Sequence, residues 1–214
     1  MEKEMTILLR TERPTFAVLA AERLASWCNP AAGRPSYTEK LVRHATLPLA
    51  FGVAHSLWWV IPTPRQDAPT TTLLEQFLRG INTLDELDLV SISGRLETWL
   101  LPGYSEMKQP MYIAIALVDK HGKASVGLLT IPTPPPLVEG HGSPQIHPLG
   151  YYQQHHWDLL HDPGVSDPAE VARQARQLVE HGVAQDRALP AGQPRTCDCP
   201  VDVMLIATNG ANIV

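Results

Sequence analysis

The densest group of potential metal ligands is His155, His156 and His161 with Asp158 and Asp162. Imidazole and carboxylate together could hold a divalent ion, but adjacent histidines diverge on any regular element and a step from 155 to 161 does not return to one helix face. The group reads as a polar surface patch. Cys197 and Cys199 form a C-x-C pair without the second ligand pair of structural zinc, so they read as loop residues. With Cys28 they make three cysteines, too few and too oddly numbered for a disulfide framework, which agrees with a reducing compartment. Trp58-Trp59 could stack on bases only beside a basic groove, and none accompanies them; packing or a subunit contact is the simpler reading. No metal or cofactor is expected. Thr6, Glu22, Lys40 and Gly52 add a hydroxyl, a carboxylate, an ammonium and a bare backbone position. Taken singly, Thr6 reads as a β-branched strand residue, Lys40 as a solvated charge beside Glu39, and Gly52 as a strand bulge.

The chain around these residues has 214 positions, 44% hydrophobic and 18% charged, with 17 Lys plus Arg against 22 Asp plus Glu. That suits one compact domain and excludes disordered and fibrous classes. A formal charge of −5 with no basic run argues against nucleic acid as a partner. The longest clean apolar run, Met111 to Val118, is far short of the ~18–20 residues a membrane crossing needs. The N-terminal MEKEM lacks the layout of a signal peptide, so a cytoplasmic protein is expected. The 20 prolines cluster at Pro62 to Pro69, Pro132 to Pro148 and Pro190 to Pro200, marking long connections.

The pattern predicts a hairpin from Ile7–Leu9 and Phe16–Ala21, the second strand buried on both faces. Apolar runs Ala45–Val53 and Leu57–Ile61 predict two central strands. Leu73, Leu74, Phe77, Leu78 and Ile81 fall on one face of a helix over Thr70 to Asn82, and a second helix is predicted over Leu84 to Leu100. Met111–Val118 and Ala124–Ile131 flank the turn Asp119–Gly122. Asp167-Pro168-Ala169-Glu170 supplies an N-cap, a first-turn proline and an acid, followed by the apolar stripe Val171 to Val183. Val201–Ile206 and Ala211–Val214 flank Asn209-Gly210, a hairpin turn. Such segregation of strands and helices predicts an α+β layered domain with mainly antiparallel sheets.

Three segments together resemble a proteasome β-subunit, within the N-terminal-nucleophile (Ntn) hydrolase superfamily. VLAAER, Val18 to Arg23, resembles the family's VLAADxR, and Glu22 comes sixteen positions after Thr6, the spacing between the family's nucleophile and its acid. Lys40, a short strand and the Ala50–Gly52 AFG resemble the family's lysine, strand and Ala-Gly; a loop insertion between Ser26 and Lys40 absorbs two extra residues. PVDVMLIATNG, Pro200 to Gly210, resembles the closing strand. Bacterial proteasome-like rings match about equally well. The resemblance implies a four-layer αββα sandwich, two mainly antiparallel sheets between helical layers, over residues 6–214, with 1–5 an extension or short propeptide. Departures from the family pattern are Glu22 for Asp, Leu24 for the usual Arg, and Gly150-Tyr151-Tyr152 where the family has Gly-Ser-Gly; Asp186 corresponds by position to the acid after the late helix.

In that setting Thr6 would be both nucleophile and, through a free α-amine of reference pKa ~7.7–8.0, its own base. Lys40 would keep the amine neutral by like-charge repulsion and stabilise the alkoxide, Glu22 would hold Lys40, and the Gly52 N–H would donate to the oxyanion. All of this requires the Met5–Thr6 bond to be absent, either because translation begins at Met5 and that Met is removed, the favoured route, or through self-cleavage. The function implied is a proteasome-like threonine peptidase or amidase working through an acyl-enzyme on a peptide or protein substrate, assembled as a homo-oligomeric ring. Any unfolding ATPase would be a separate chain. The alternative is a catalytically inactive ring-forming scaffold with the same fold.

Overall fold

The computed structural model describes residues 7–25, 36–37, 39–55, 58–60, 67–104, 111–131, 138–140, 145–147, 165–188 and 199–214. Near the N-terminus, β1 (Leu8–Arg13) and β2 (Phe16–Glu22) form the expected hairpin, and every residue of β2 is buried. Short strands β3 (Leu24–Ala25) and β4 (Ser36–Tyr37) pair with each other, β5 (Leu41–Arg43) turns into β6 (Leu49–His55), and β7 (Trp58–Val60) pairs with β8 (Asp67–Pro69). Helices α1 (Thr70–Leu78) and α2 (Leu89–Tyr104) precede the hairpin β9 (Met111–Val118) and β10 (Ala124–Ile131). The chain continues through β11 (Val138–Gly140), β12 (Gln145–His147), α3 (Pro168–Arg187), β13 (Val201–Ala207) and β14 (Gly210–Ile213).

Two five-stranded sheets result, with orders β12-β1-β2-β13-β14 and β11-β10-β9-β6-β5, and every pairing among the described strands is antiparallel. The predicted α+β class with antiparallel sheets is therefore observed. Side chains alternate across a strand, and the core divides accordingly. Val18 and Ala20 of β2 pack with Val171, Ala175 and Val179 of α3. Ala17, Leu19 and Ala21 pack with Ala50, Ala114, Ala116 and Val118 of the other sheet. The opposite face of that second sheet, with Phe51, Ile113 and Ile115, receives Leu74, Phe77 and Leu96 from α1 and α2. Small alanines at the contact between the sheets let two backbones approach closely.

β7, within the run Leu57–Ile61 expected as a central strand, pairs with β8 in a two-stranded sheet of its own, and several element boundaries differ from the sequence expectation, three of them with a clear local cause. Residues 45–48 form a turn, so β6 begins at Leu49: the ring of His44 accepts the Thr46 and Leu47 N–H groups at Nδ1 (3.1 and 2.8 Å), and its Nε2 lies 2.9 Å from the Ile81 carbonyl. Leu84–Glu86 is a separate 3-10 turn, and α2 starts at Leu89, where the Asp88 carboxylate takes the Ser91 N–H (2.8 Å). Ala207 pairs with Gly210, so the last hairpin turns through Thr208-Asn209, and Gly210, at φ 116, opens β14.

The 3-10 turn makes an acid-sensitive device. Glu86 accepts the Asn82 N–H, an Arg95 guanidinium bond and the Thr83 N–H, and these bonds hold its pKa down from 4.5 to about 2. A depressed folded-state pKa stabilises fully above the unfolded value and is lost as pH falls through the folded one. Across that window, from 4.5 down to about 2, the thermal midpoint of the native chain should drop more steeply than that of Glu86→Gln; equal acid slopes would refute the capping role.

Candidate active site

Between the two sheets lies a fully buried ion pair, at the end of the sandwich where β1 begins: Lys40 Nζ donates to Glu22 Oε1, and neither side chain is exposed to solvent. Each partner reaches this point through its strand. Glu22 closes β2 with Val201 of β13 opposite it, and extending the β1–β2 register by one residue sets Ile7 across from it. Lys40 directly precedes β5, and its carbonyl accepts the Val53 N–H (2.9 Å). Stripping water from two charges costs several kcal/mol per ion, which the mutual attraction offsets only with good geometry. A fold seldom keeps such a pair for stability alone, and an ammonium held in a dry place is the kind of group that shifts neighbouring protonation equilibria.

Thr6 lies outside the described residues; its chain neighbour Ile7 is completely buried. Glu22 and Lys40, expected as partners, are brought together. Gly52 is found in β6 opposite Leu41 and Ala114. Its amide direction follows from ladder parity. Val53 N–H bonds Lys40 on the β5 side and Val118 N–H bonds the Pro48 carbonyl on the β9 side (2.9 Å each), and backbone polar groups alternate along a strand. Gly52 therefore turns its N–H toward β9, within the ladder, instead of toward a substrate oxyanion. Its lack of a side chain is explained by packing: a Cβ there would lie 2.6 Å from Leu8 Cδ1 and 3.0 Å from Leu41 Cδ2. Gly52→Val should cost about 1–3 kcal/mol in a denaturant titration, the usual penalty of overpacking, partly recovered by Leu8→Ala; an unchanged midpoint would refute the close approach.

Asp186 is buried on the stripe of α3 that faces β2 and β13. The heading of α3 is fixed by two contacts: Arg13 donates to the Val165 carbonyl (3.0 Å) just before the helix, and Arg176, midway along it, donates to the Val201 carbonyl (2.7 Å) beside Glu22. The C-terminal half of α3, with Asp186, thus runs toward the Glu22–Lys40 end. Sequence reasoning missed a further pair at this end. Arg23 makes a bidentate bond to Asp202 (2.6 and 2.7 Å), and the raised guanidinium pKa follows first from that bond. Their separation of 179 positions left no local signal.

The remaining candidates are quickly placed. The cluster His155, His156, Asp158, His161 and Asp162, the segment Gly150–Tyr152, Cys28 and Cys197 lie outside the described residues. Cys199 is half-buried and packs against the β1–β2–α3 core. Among the described residues no three His, Cys, Asp or Glu side chains converge on a metal position, and no described helix is long and apolar enough to cross a membrane.

Comparison with known proteins adds no family: no protein-family model matches the sequence, and no curated protein matches it significantly.

Proposed function

We propose that this chain is a proteasome-like Ntn hydrolase, a threonine peptidase or amidase whose nucleophile is Thr6 after loss of residues 1–5. The observation that carries the reading is the buried Glu22–Lys40 pair at the mouth of β1, across from Ile7, the residue that follows the candidate nucleophile in the sequence. Support also comes from the helix–sheet–sheet–helix order of the packed clusters, which fits the four-layer αββα sandwich of that superfamily.

In this reading the terminal amine of Thr6 takes the proton of its own hydroxyl as the oxygen attacks a peptide carbonyl. The tetrahedral intermediate collapses to an ester on Thr6, and the amine passes its proton to the departing amide nitrogen. Water then attacks the ester by the same route, releasing the acid and restoring the hydroxyl. The Lys40 ammonium keeps the amine neutral and stabilises the developing alkoxide, while Glu22 supplies the counter-charge that lets an ammonium stay in a dry site. The amide of Gly52 is left out of this scheme. A homo-oligomeric ring and a cytoplasmic location belong to the same reading.

Intact-mass measurement on purified protein tests it, with exposure to an electrophile that condenses with both the hydroxyl and the amine of an N-terminal threonine. The expected result is a chain beginning at Thr6 and a single adduct on that residue. A chain that retains Met1 and takes no adduct would remove the enzyme. The second reading, an inactive ring-forming scaffold, is favoured by the longer acid at Glu22 and by Leu24 in place of the usual Arg.

A further inference from the structure

We propose that Arg23 and Asp202 are positioning residues for this site, acting through Glu22 to hold the Lys40 ammonium in place; the inference rests on the functional reading above. β2 ends at Glu22, so a carboxylate on its last residue would ordinarily inherit the freedom of a strand end. Here residue 23 is tied to β13 twice. Its N–H donates to the Pro200 carbonyl (3.1 Å), and its guanidinium holds both oxygens of Asp202 at 2.6 and 2.7 Å. A planar fork on a carboxylate fixes orientation as well as distance. Glu22 is thereby held from both sides, by Val201 across the ladder and by Arg23 along the chain.

The charges at this end interlock. Glu22 pairs with Lys40, while Glu39, the residue before Lys40, adds its field to that of Asp202 on Arg23. Glu22 and Arg23, the last residue of β2 and the one after it, thus carry charges opposite to those of Lys40 and Glu39, the two residues before β5. The Arg23–Asp202 bond is partly open to solvent, with side-chain exposures of 31% and 12%, whereas the Glu22–Lys40 pair is dry. The outer pair therefore adds little to global stability by itself. Its consequence is geometric: small displacements at a reacting centre cost large factors in rate.

The test uses the full chain and two probes, acetic anhydride for lysine accessibility and the threonine-directed electrophile for Thr6. In Asp202→Asn, acetylation of Lys40 read by peptide mass mapping should rise about tenfold or more, and labelling of Thr6 at neutral pH should slow by a similar factor. The pH midpoint of labelling should move up toward ~7.7–8.0, the ordinary α-amine range, because the ammonium no longer depresses it. Asp202→Glu should restore both, and Arg23→Gln should repeat the effect from the exposed side. Unchanged Lys40 protection with an unchanged labelling profile would overturn the proposal. So would loss of protection at Lys40 only together with collapse of the thermal midpoint, since that is a general structural role. A native chain that takes no label would defeat the hydrolase reading, and Lys40 protection in the variants would still decide the positioning claim.

Discussion

Thr6→Ala should abolish adduct formation and lower peptide hydrolysis by at least about 10⁴-fold, the scale on which single members of a nucleophile–base unit fail. The loss is large because one residue supplies both the attacking oxygen and the frame for its base, leaving water as the only nucleophile. Thr6→Ser keeps a hydroxyl and an amine and should retain activity within a few orders of magnitude of the native chain. The thermal midpoint should hold for both variants, since the Glu22–Lys40 pair and the strand β1 that begins at Leu8 are untouched. Hydrolysis unaffected by Thr6→Ala would sink the mechanism. Assembly retained in a native chain without hydrolysis would favour the scaffold.

Lys40→Met should destabilise the fold by about 3–5 kcal/mol in a denaturant titration, because it strands the Glu22 carboxylate in a dry site. The methionine nearly matches the lysine stem, so little of the loss comes from a cavity. Adding Glu22→Leu should recover most of the stability, since replacing both ions by apolar groups removes the desolvation cost altogether. The coupling between the two substitutions should therefore be at least about 3 kcal/mol, at or above the top of the usual range for residues in contact. Activity should follow the opposite course: the double variant, stable again, should remain inactive because the terminal amine has lost its neighbouring ammonium. A single variant that costs less than about 1 kcal/mol, as an exposed pair would, would contradict the buried geometry. A double variant with native activity would separate the pair from catalysis.

Much of the secondary structure was readable because its causes are local. The fully apolar run of β2, the Asp167-Pro168 start of α3 and the hairpin at Asp119–Gly122 each follow from backbone preferences over a few residues. Failures occurred where a polar side chain bonded backbone groups two to four residues away and so interrupted an apolar pattern that by itself reads as continuous. His44 accepts two N–H groups and shapes residues 45–48 into a turn; Glu86 caps the start of the 3-10 turn through the Asn82 and Thr83 N–H groups, and Asp88 opens α2 separately by accepting the Ser91 N–H. For the candidate site, the residue types and the Thr6-to-Glu22 spacing were legible as sequence, and the short-turn hairpin of β1 and β2 was too, since it follows from local pattern. The role expected of Gly52 was not, because amide direction depends on which neighbours a strand acquires.

By itself the sequence determined the elements, the α+β class and the pairing of β1 with β2, all set by periodicity and turn chemistry within short stretches. Only the tertiary structure decided that β13 lies against β2, that Glu22 meets Lys40, and that Asp202 clasps Arg23. The reason is that β13 joins β2 by strand pairing across most of the chain, and Glu22 meets Lys40 because two sheets bury alanine-rich faces against each other; neither pairing nor burial carries a record of sequence distance.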